Sequence, residues 1–251
     1  MEYIVYCIIV FLAGITIGSF LNVCILRIPQ KEDIVLKPSH CVKCGKVLKW
    51  YELIPLLSFC IQRGRCRNCQ AKISLQYPLI ELGNGLAYIW IFMVNGWNTE
   101  SVLFSLCASV LIVISVIDWR TYEIPAGCNM IIGILGIFRM ILNLAHWYDH
   151  VIGFFAVSSL FAVVYLLSKG RGIGGGDIKL MAAAGLLLGW QKILLALMIG
   201  SIAGSVIHLT LMKLKGKDRV LAFGPYLAFG IFTAMLYGEQ IIAAYLGLFA
   251  F

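Results

Sequence analysis

Charge is what this chain has least of. Asp, Glu, Lys and Arg together supply 13% of its 251 residues, against 61% hydrophobic residues, and the mean hydropathy is +0.92. That balance excludes an ordinary soluble domain. The amino terminus lacks the basic region of a secretory signal peptide and stays apolar for more than 20 residues, so it reads as a retained helix. Acids are scarcer than bases, 12 against 20, for a formal net charge of +8. Membrane topology and attraction to anionic lipid account for that excess without a nucleic-acid partner.

What the chain does have is apolar runs that approach the length of a bilayer crossing, about 20 residues each. They cover roughly Tyr3 to Ile25, Pro78 to Val94, Val102 to Ile117, Cys128 to Ala145, Val151 to Leu167, Ile193 to Met212 and Pro225 to Tyr237, with a shorter one from Ile178 to Trp190. These eight segments predict an all-α polytopic membrane protein, in which the stretch Gln240 to Phe251 continues the last helix past Gly238. Their many Gly and Ala residues let helices approach closely in lipid. Trp90, Trp97, Trp119, Trp147 and Trp190 fall mostly at the predicted boundaries, as an interfacial aromatic belt requires.

Orientation follows from Lys and Arg, which are enriched in cytoplasmic loops. The segment from Arg27 to Lys72 holds ten of the 20 basic residues against three acids, Glu32, Asp33 and Glu52. Arg120, Lys169, Arg171 and Lys179 form a second group, and Lys213, Lys215, Lys217 and Arg219 a third, before the last helix. The alternate loops, Asn95 to Glu100, His146 to His150 and Trp190 to Lys192, hold one Lys and no Arg. Eight crossings put all the basic groups on the cytoplasmic side and the amino terminus outside, in the cytoplasmic (inner) membrane.

Four of the nine cysteines form Cys41-Val42-Lys43-Cys44 and Cys66-Arg67-Asn68-Cys69, two CxxC knuckles separated by 21 residues in the large basic loop. The spacing is close to that of a zinc ribbon, where four thiolates close a tetrahedral site with no position left for substrate, so a structural Zn2+ is expected. Disulfides or redox dithiols are the alternative, disfavoured by the reduced thiols of a cytoplasmic loop. Cys7, Cys24, Cys60, Cys107 and Cys128 have no partner spacing and read as small apolar residues.

Two acids stand at ends of apolar runs: Asp118 in Ile117-Asp118-Trp119-Arg120, and Asp177 in Gly172-Ile173-Gly174-Gly175-Gly176-Asp177-Ile178-Lys179. Ionisable groups at the bilayer are costly and mark functional sites by default. Either acid alone reads equally as an interfacial charge, and the glycines as a turn or a phosphate-binding helix start. Together they make an acid/base pair available, two carboxyls sharing a proton and titrating as a unit. Gly174, Gly175 and Gly176 are expected to permit backbone angles and close approach that other residues forbid. Lys179 is expected to snorkel to lipid or steady an acid, Asn22 to bond between helices, Glu81 to pair with Lys179 or Arg27 or to approach a substrate amine, and Arg139 and His208 to face the bundle interior or an interface. A transporter with midplane acids and a non-enzymatic zinc-binding scaffold are the competing classes.

In order along the chain, Gly18-Ser19-Phe20-Leu21-Asn22-Val23 with Arg27 and Pro29, the two CxxC knuckles, Tyr77-Pro78-Leu79-Ile80-Glu81, the Asp118 segment, Gly174 to Lys179, and Gly224-Pro225 resemble the type IV prepilin peptidases. These are the bifunctional leader peptidases and N-methyltransferases of type IV pilus, type II secretion and competence systems. GxGD alone also resembles presenilin and archaeal preflagellin peptidases, which lack the cysteine region. The resemblance implies removal of a short basic leader after a Gly, before the hydrophobic helix of a prepilin or pseudopilin, and S-adenosylmethionine-dependent methylation of the new amino group. It implies catalytic roles for Asp118 and Asp177, supported by Gly174, Gly175, Gly176 and Lys179, and zinc ligation by Cys41, Cys44, Cys66 and Cys69. Residues 1–95, with the zinc-binding loop at about 27–77, would carry methyl transfer in a region that includes Gly18, Asn22, Arg27 and Glu81, although no glycine-rich nucleotide fingerprint is visible there. Residues 96–251 would be the peptidase core. After Ile124-Pro125 the family commonly has Asp or Asn where this chain has Ala126, a difference expected to bear on substrate preference.

Overall fold

A computed structural model describes residues 2–215 and 221–248. Among these every regular element is helical, with only isolated bridges, His40 to Val47 and Arg65 to Lys72, in place of strands. The chain forms two compact units, Met1–Met93 and Val94–Phe251.

In the first unit α1 (Glu2–Arg27) and α3 (Gln76–Asn95) enclose an insertion that contains a 3-10 turn at Trp50–Glu52 and the short α2 (Leu57–Ile61). Small residues set the spacing of the two long helices. A Cβ added at Gly14 would lie 2.7 Å from the Gly85 Cα, and one at Gly18 2.8 Å from the Glu81 Cα. In lipid such close approach supplies the packing that a hydrophobic driving force supplies in water. Polar groups cross the same seam: the Asn84 amide donates to the Gly14 carbonyl at 2.7 Å and Asn22 to the Tyr77 carbonyl at 3.2 Å, as expected of interhelical glue.

The second unit contains α4 (Thr99–Thr121), α5 (Ala126–Leu142), α6 (Trp147–Ala156), α7 (Ser158–Leu167), α8 (Gly175–Leu188), α9 (Trp190–Lys215) and α10 (Gly224–Gly247). Helix α8 is packed by α5 and α6; Gly153 and Gly185 meet so closely that a Cβ on Gly185 would lie 2.0 Å from the Gly153 carbonyl oxygen. Arg139, partly buried as expected, ties the Glu100 carboxylate to the Leu187 carbonyl and lies 5.1 Å over the Phe104 ring. His208 is half-buried on α9, its Nε2 without a hydrogen-bond partner.

The chain is a multi-pass membrane protein, but its helices are not all of one length. Among the described residues six are long and apolar enough to cross a membrane: α1, α3, α4, the α6–α7 stretch Leu144–Leu167, α9 and α10. The two other predicted segments are the shorter α5, 17 residues, and α8, 14 residues. The predicted His146 to His150 loop is helical from Trp147 on, and Trp190 to Lys192 opens α9, so only Gly189, at φ 85°, separates α8 from α9. Lys213 and Lys215 belong to α9 rather than to a loop. Lys217 and Arg219, and the end of the Gln240 to Phe251 stretch, lie outside the described residues. Helix α10 does run through Gly238, where the glycine leaves room for the Lys192 side chain.

Candidate active site

Asp118 sits in the last turn of α4 and Asp177 in the first turn of α8, near enough that the charge of one acts on the other. Asp118 is 5% exposed, and its Oδ2 accepts the Gly224 N–H at 2.8 Å across 106 residues of sequence. Asp177 is half-buried, and its Oδ2 accepts the Gly174 N–H at 3.2 Å. Each donor belongs to a helix N-terminus, α10 for Asp118 and α8 for Asp177, where unpaired N–H groups and the positive end of the macrodipole favour an anion. Helix α4 ends just beyond Asp118 because Tyr122 turns left-handed, φ 56°, and returns its N–H to the Asp118 carbonyl at 2.9 Å.

Of the two properties expected of the glycines, one is used. None of Gly174, Gly175 and Gly176 has a positive φ; close approach, not backbone angle, is what they provide. A Cβ on Gly176 would lie 2.9 Å from the Ile124 Cβ, and one on Gly174 3.0 Å from the Asp177 Oδ2, whereas Gly175 faces open space. Lys179 is exposed and joins no ion pair among the described residues, so of its two expected roles, snorkelling to lipid or steadying an acid, the second is not seen.

Gly224, quoted above only as part of a motif, has the clearest steric role. A Cβ there would stand 2.8 Å from the Asp118 Oδ2 and 3.2 Å from its Cβ, so the carboxyl would have to swing away. Gly224→Ala is therefore expected to break the contact between the Gly224 N–H and the Asp118 carboxyl and to loosen the meeting of α4 and α10, read as a lower thermal unfolding midpoint of the purified protein.

In the first unit, the Sγ atoms of Cys41, Cys44, Cys66 and Cys69 all lie within 4.8 Å of one another, with Cys41 and Cys69 3.9 Å apart. Four sulfurs about 2.3 Å from a tetrahedral zinc would be ~3.8 Å apart, so the cluster fits that ion. Both knuckles are built alike. Cys41 N–H donates to the Lys46 carbonyl and Gly45 N–H to the Cys41 carbonyl; Cys66 N–H donates to the Ala71 carbonyl and Gln70 N–H to the Cys66 carbonyl, all at 2.9 Å. Gly45 and Gln70 take the same left-handed conformation, φ 71° and 56°. The Lys46 backbone N–H and the Asn68 amide hold the Cys44 thiol down to about 6, within the range where it is a thiolate ready for metal.

Gly18, Asn22, Arg27 and Glu81 are engaged inside the unit. Arg27 donates to the carbonyls of Asp33, Lys37 and Pro38 at 2.9, 2.7 and 3.1 Å rather than to Glu81. Glu81 accepts the Leu56 N–H at 2.8 Å, and Asn22 accepts from Gln76 besides donating to Tyr77. Leu56 is held at φ 60°, ψ −49°, with Leu57 N–H reaching the Pro55 carbonyl, a strained γ-turn. Arg27 and Glu81 thus fasten the insertion to α1 and α3, while Gly18 and Asn22 join α1 to α3.

The family model described as Bacterial Peptidase A24 N-terminal domain matches residues 12–95, and that described as Type IV leader peptidase family matches residues 105–209. The chain is 34% identical to a prepilin leader peptidase/N-methyltransferase of Aeromonas salmonicida, over 95% of this chain and 93% of that one. It is also 34% identical to one of Bacillus subtilis, over 95% and 97%, and 31% identical to one of Stutzerimonas stutzeri, over 93% and 91%. No solved structure matches.

Proposed function

Because the chain belongs to the type IV leader peptidase family and is an enzyme, we propose that Asp118 and Asp177 are its catalytic pair. They would remove the short basic leader of a type IV prepilin or pseudopilin at the cytoplasmic face of the inner membrane. The observation that carries this reading is the meeting of two acid-bearing helix ends, where Ile124 beyond Asp118 packs on Gly176 beside Asp177 and each carboxyl is held by a helix N-terminal N–H. Two such groups share a proton, so that one carboxylate takes a proton from water while its neighbour protonates the scissile carbonyl oxygen. The water oxygen bonds to the carbonyl carbon of the leader Gly; the amine then takes a proton from the pair and leaves as the C–N bond breaks. The open side of Gly175 offers an extended backbone room beside Asp177.

Orientation rests on the distribution of Lys and Arg, with eight crossings if α5 and α8 also span. Zinc on the four cysteines would be structural, since four sulfurs leave no position for substrate. Methylation of the new amino terminus by S-adenosylmethionine is the second activity that we propose, as the relatives' names include N-methyltransferase; no residue is assigned to it. Mass spectrometry of a co-expressed prepilin tests both halves. The expected product begins after the leader Gly and is heavier by one methyl group; an unmethylated product made with the methyl donor present would remove the second half.

A further inference from the structure

Asn129, on the first turn of α5, has a side chain that no part of the catalytic reading uses. It is 6% exposed, and its Nδ2 donates to the Gly176 carbonyl at 3.3 Å. That carbonyl belongs to the peptide unit joining Gly176 to Asp177. Its Oδ1 is buried and meets no hydrogen-bond partner. An unsatisfied buried acceptor is destabilising, and an apolar side chain of the same shape would avoid that cost. The helix does not need an amide here, because α5 is already started by Pro125, whose carbonyl accepts the Cys128 N–H.

We infer that Asn129 is a positioning residue for Asp177: its amide holds the Gly176–Asp177 peptide plane in the one orientation that turns the carboxyl toward Asp118. This rests on the proposed roles of the two aspartates. Three contacts then fix the glycine strand at this end of the bundle. Ile124 packs on the face of Gly176 where a Cβ would sit, Asn129 grips the Gly176 carbonyl, and the Gly174 N–H grips the Asp177 carboxylate. The unpaired Oδ1 remains as an acceptor beside the pair, suited to a water or to a substrate N–H. The ionisable groups on elements packed against α5 are Asp118 on α4 and Asp177 on α8 at this end, and Glu100, bound to Arg139, with His146, Asp149 and His150 toward the other; Arg120, Glu123 and Lys179 are exposed.

Asn129→Asp separates positioning from packing. A protonated carboxyl has the shape of the amide and an O–H that can donate to the Gly176 carbonyl; an ionised one cannot donate and repels that oxygen. The purified full-length variant should cleave a prepilin peptide within about tenfold of the parent at the acid end of its working range. It should lose activity progressively as pH rises, with kcat falling and KM within about twofold. Asn129→Leu, with no donor at any pH, should be at least tenfold down in kcat across the whole range while folded yield and zinc content hold. An Asn129→Asp profile parallel to the parent's, or an Asn129→Leu enzyme with parental kcat, would overturn the assignment. Failure of the aspartate reading is a separate result, seen as cleavage by Asp177→Asn itself.

Discussion

Asp118→Asn and Asp177→Asn are each expected to abolish detectable cleavage of a co-expressed prepilin while protein level and zinc content stay parental. An amide keeps the volume of the carboxyl, and its oxygen can still accept the Gly224 N–H at position 118 or the Gly174 N–H at position 177, so both helix-end contacts survive. What is lost is the exchangeable proton. General acid–base catalysis contributes about 10²–10⁴-fold, or ~3–5 kcal/mol at about 1.4 kcal/mol per tenfold. Since each member would act as base in one half of the reaction and acid in the other, neither substitution leaves a working half-pair. Cleavage at the parental rate by either variant would show that the pair is not the catalyst. Loss of protein along with loss of cleavage would instead assign the acids to folding.

The second large effect concerns the insertion between α1 and α3. Stripping the metal with a chelator, or making Cys66→Ser, is expected to unfold its cysteine-bearing part, because beyond the Arg27 and Glu81 contacts little else holds it together. Apart from the short α2 and one 3-10 turn, it has two isolated bridges in place of a sheet, and Val35, Leu36, Val42, Trp50 and Ile61 are all largely exposed rather than packed in a core. Structural zinc on preformed thiolates supplies about 10 kcal/mol or more. The parent should carry one zinc per chain and resist trypsin between Lys31 and Lys72; the zinc-free protein and Cys66→Ser should be nicked there, while Cys60→Ser keeps both metal and resistance. Protons compete with the metal for sulfur, so zinc occupancy should fall as the pH is lowered. A chelated protein that stays resistant would make the metal dispensable to the fold.

The helices were legible because a chain in lipid must satisfy its backbone internally, which turns each span into one long apolar run. Their ends were less so. Trp147 and Trp190 read as interfacial loop residues, yet both begin helices, since an aromatic belt residue can sit on the first turn as well as before it. The last helix continues past Gly238 as read, but the sequence did not show that this glycine is a packing notch for Lys192. The cysteine cluster was readable from local spacing alone. At the aspartates the acids and glycines stood out, but their partners did not: the bond from Gly224 to Asp118 spans 106 residues, and that from Asn129 to Gly176 spans 47. No periodicity announces contacts made only when helix ends converge. Glu81 shows the same limit, since its partner is not a cation but the N–H of a strained turn.

The most direct test is the pH dependence of kcat/KM for the purified enzyme acting on a prepilin peptide, with zinc content followed in the same samples. A pair that shares one proton works only in its singly protonated form, so the profile is predicted to be a bell whose two limbs both belong to the pair and appear while zinc remains bound. A profile that is flat, or that rises without an alkaline limb, would contradict catalysis by Asp118 and Asp177 acting together.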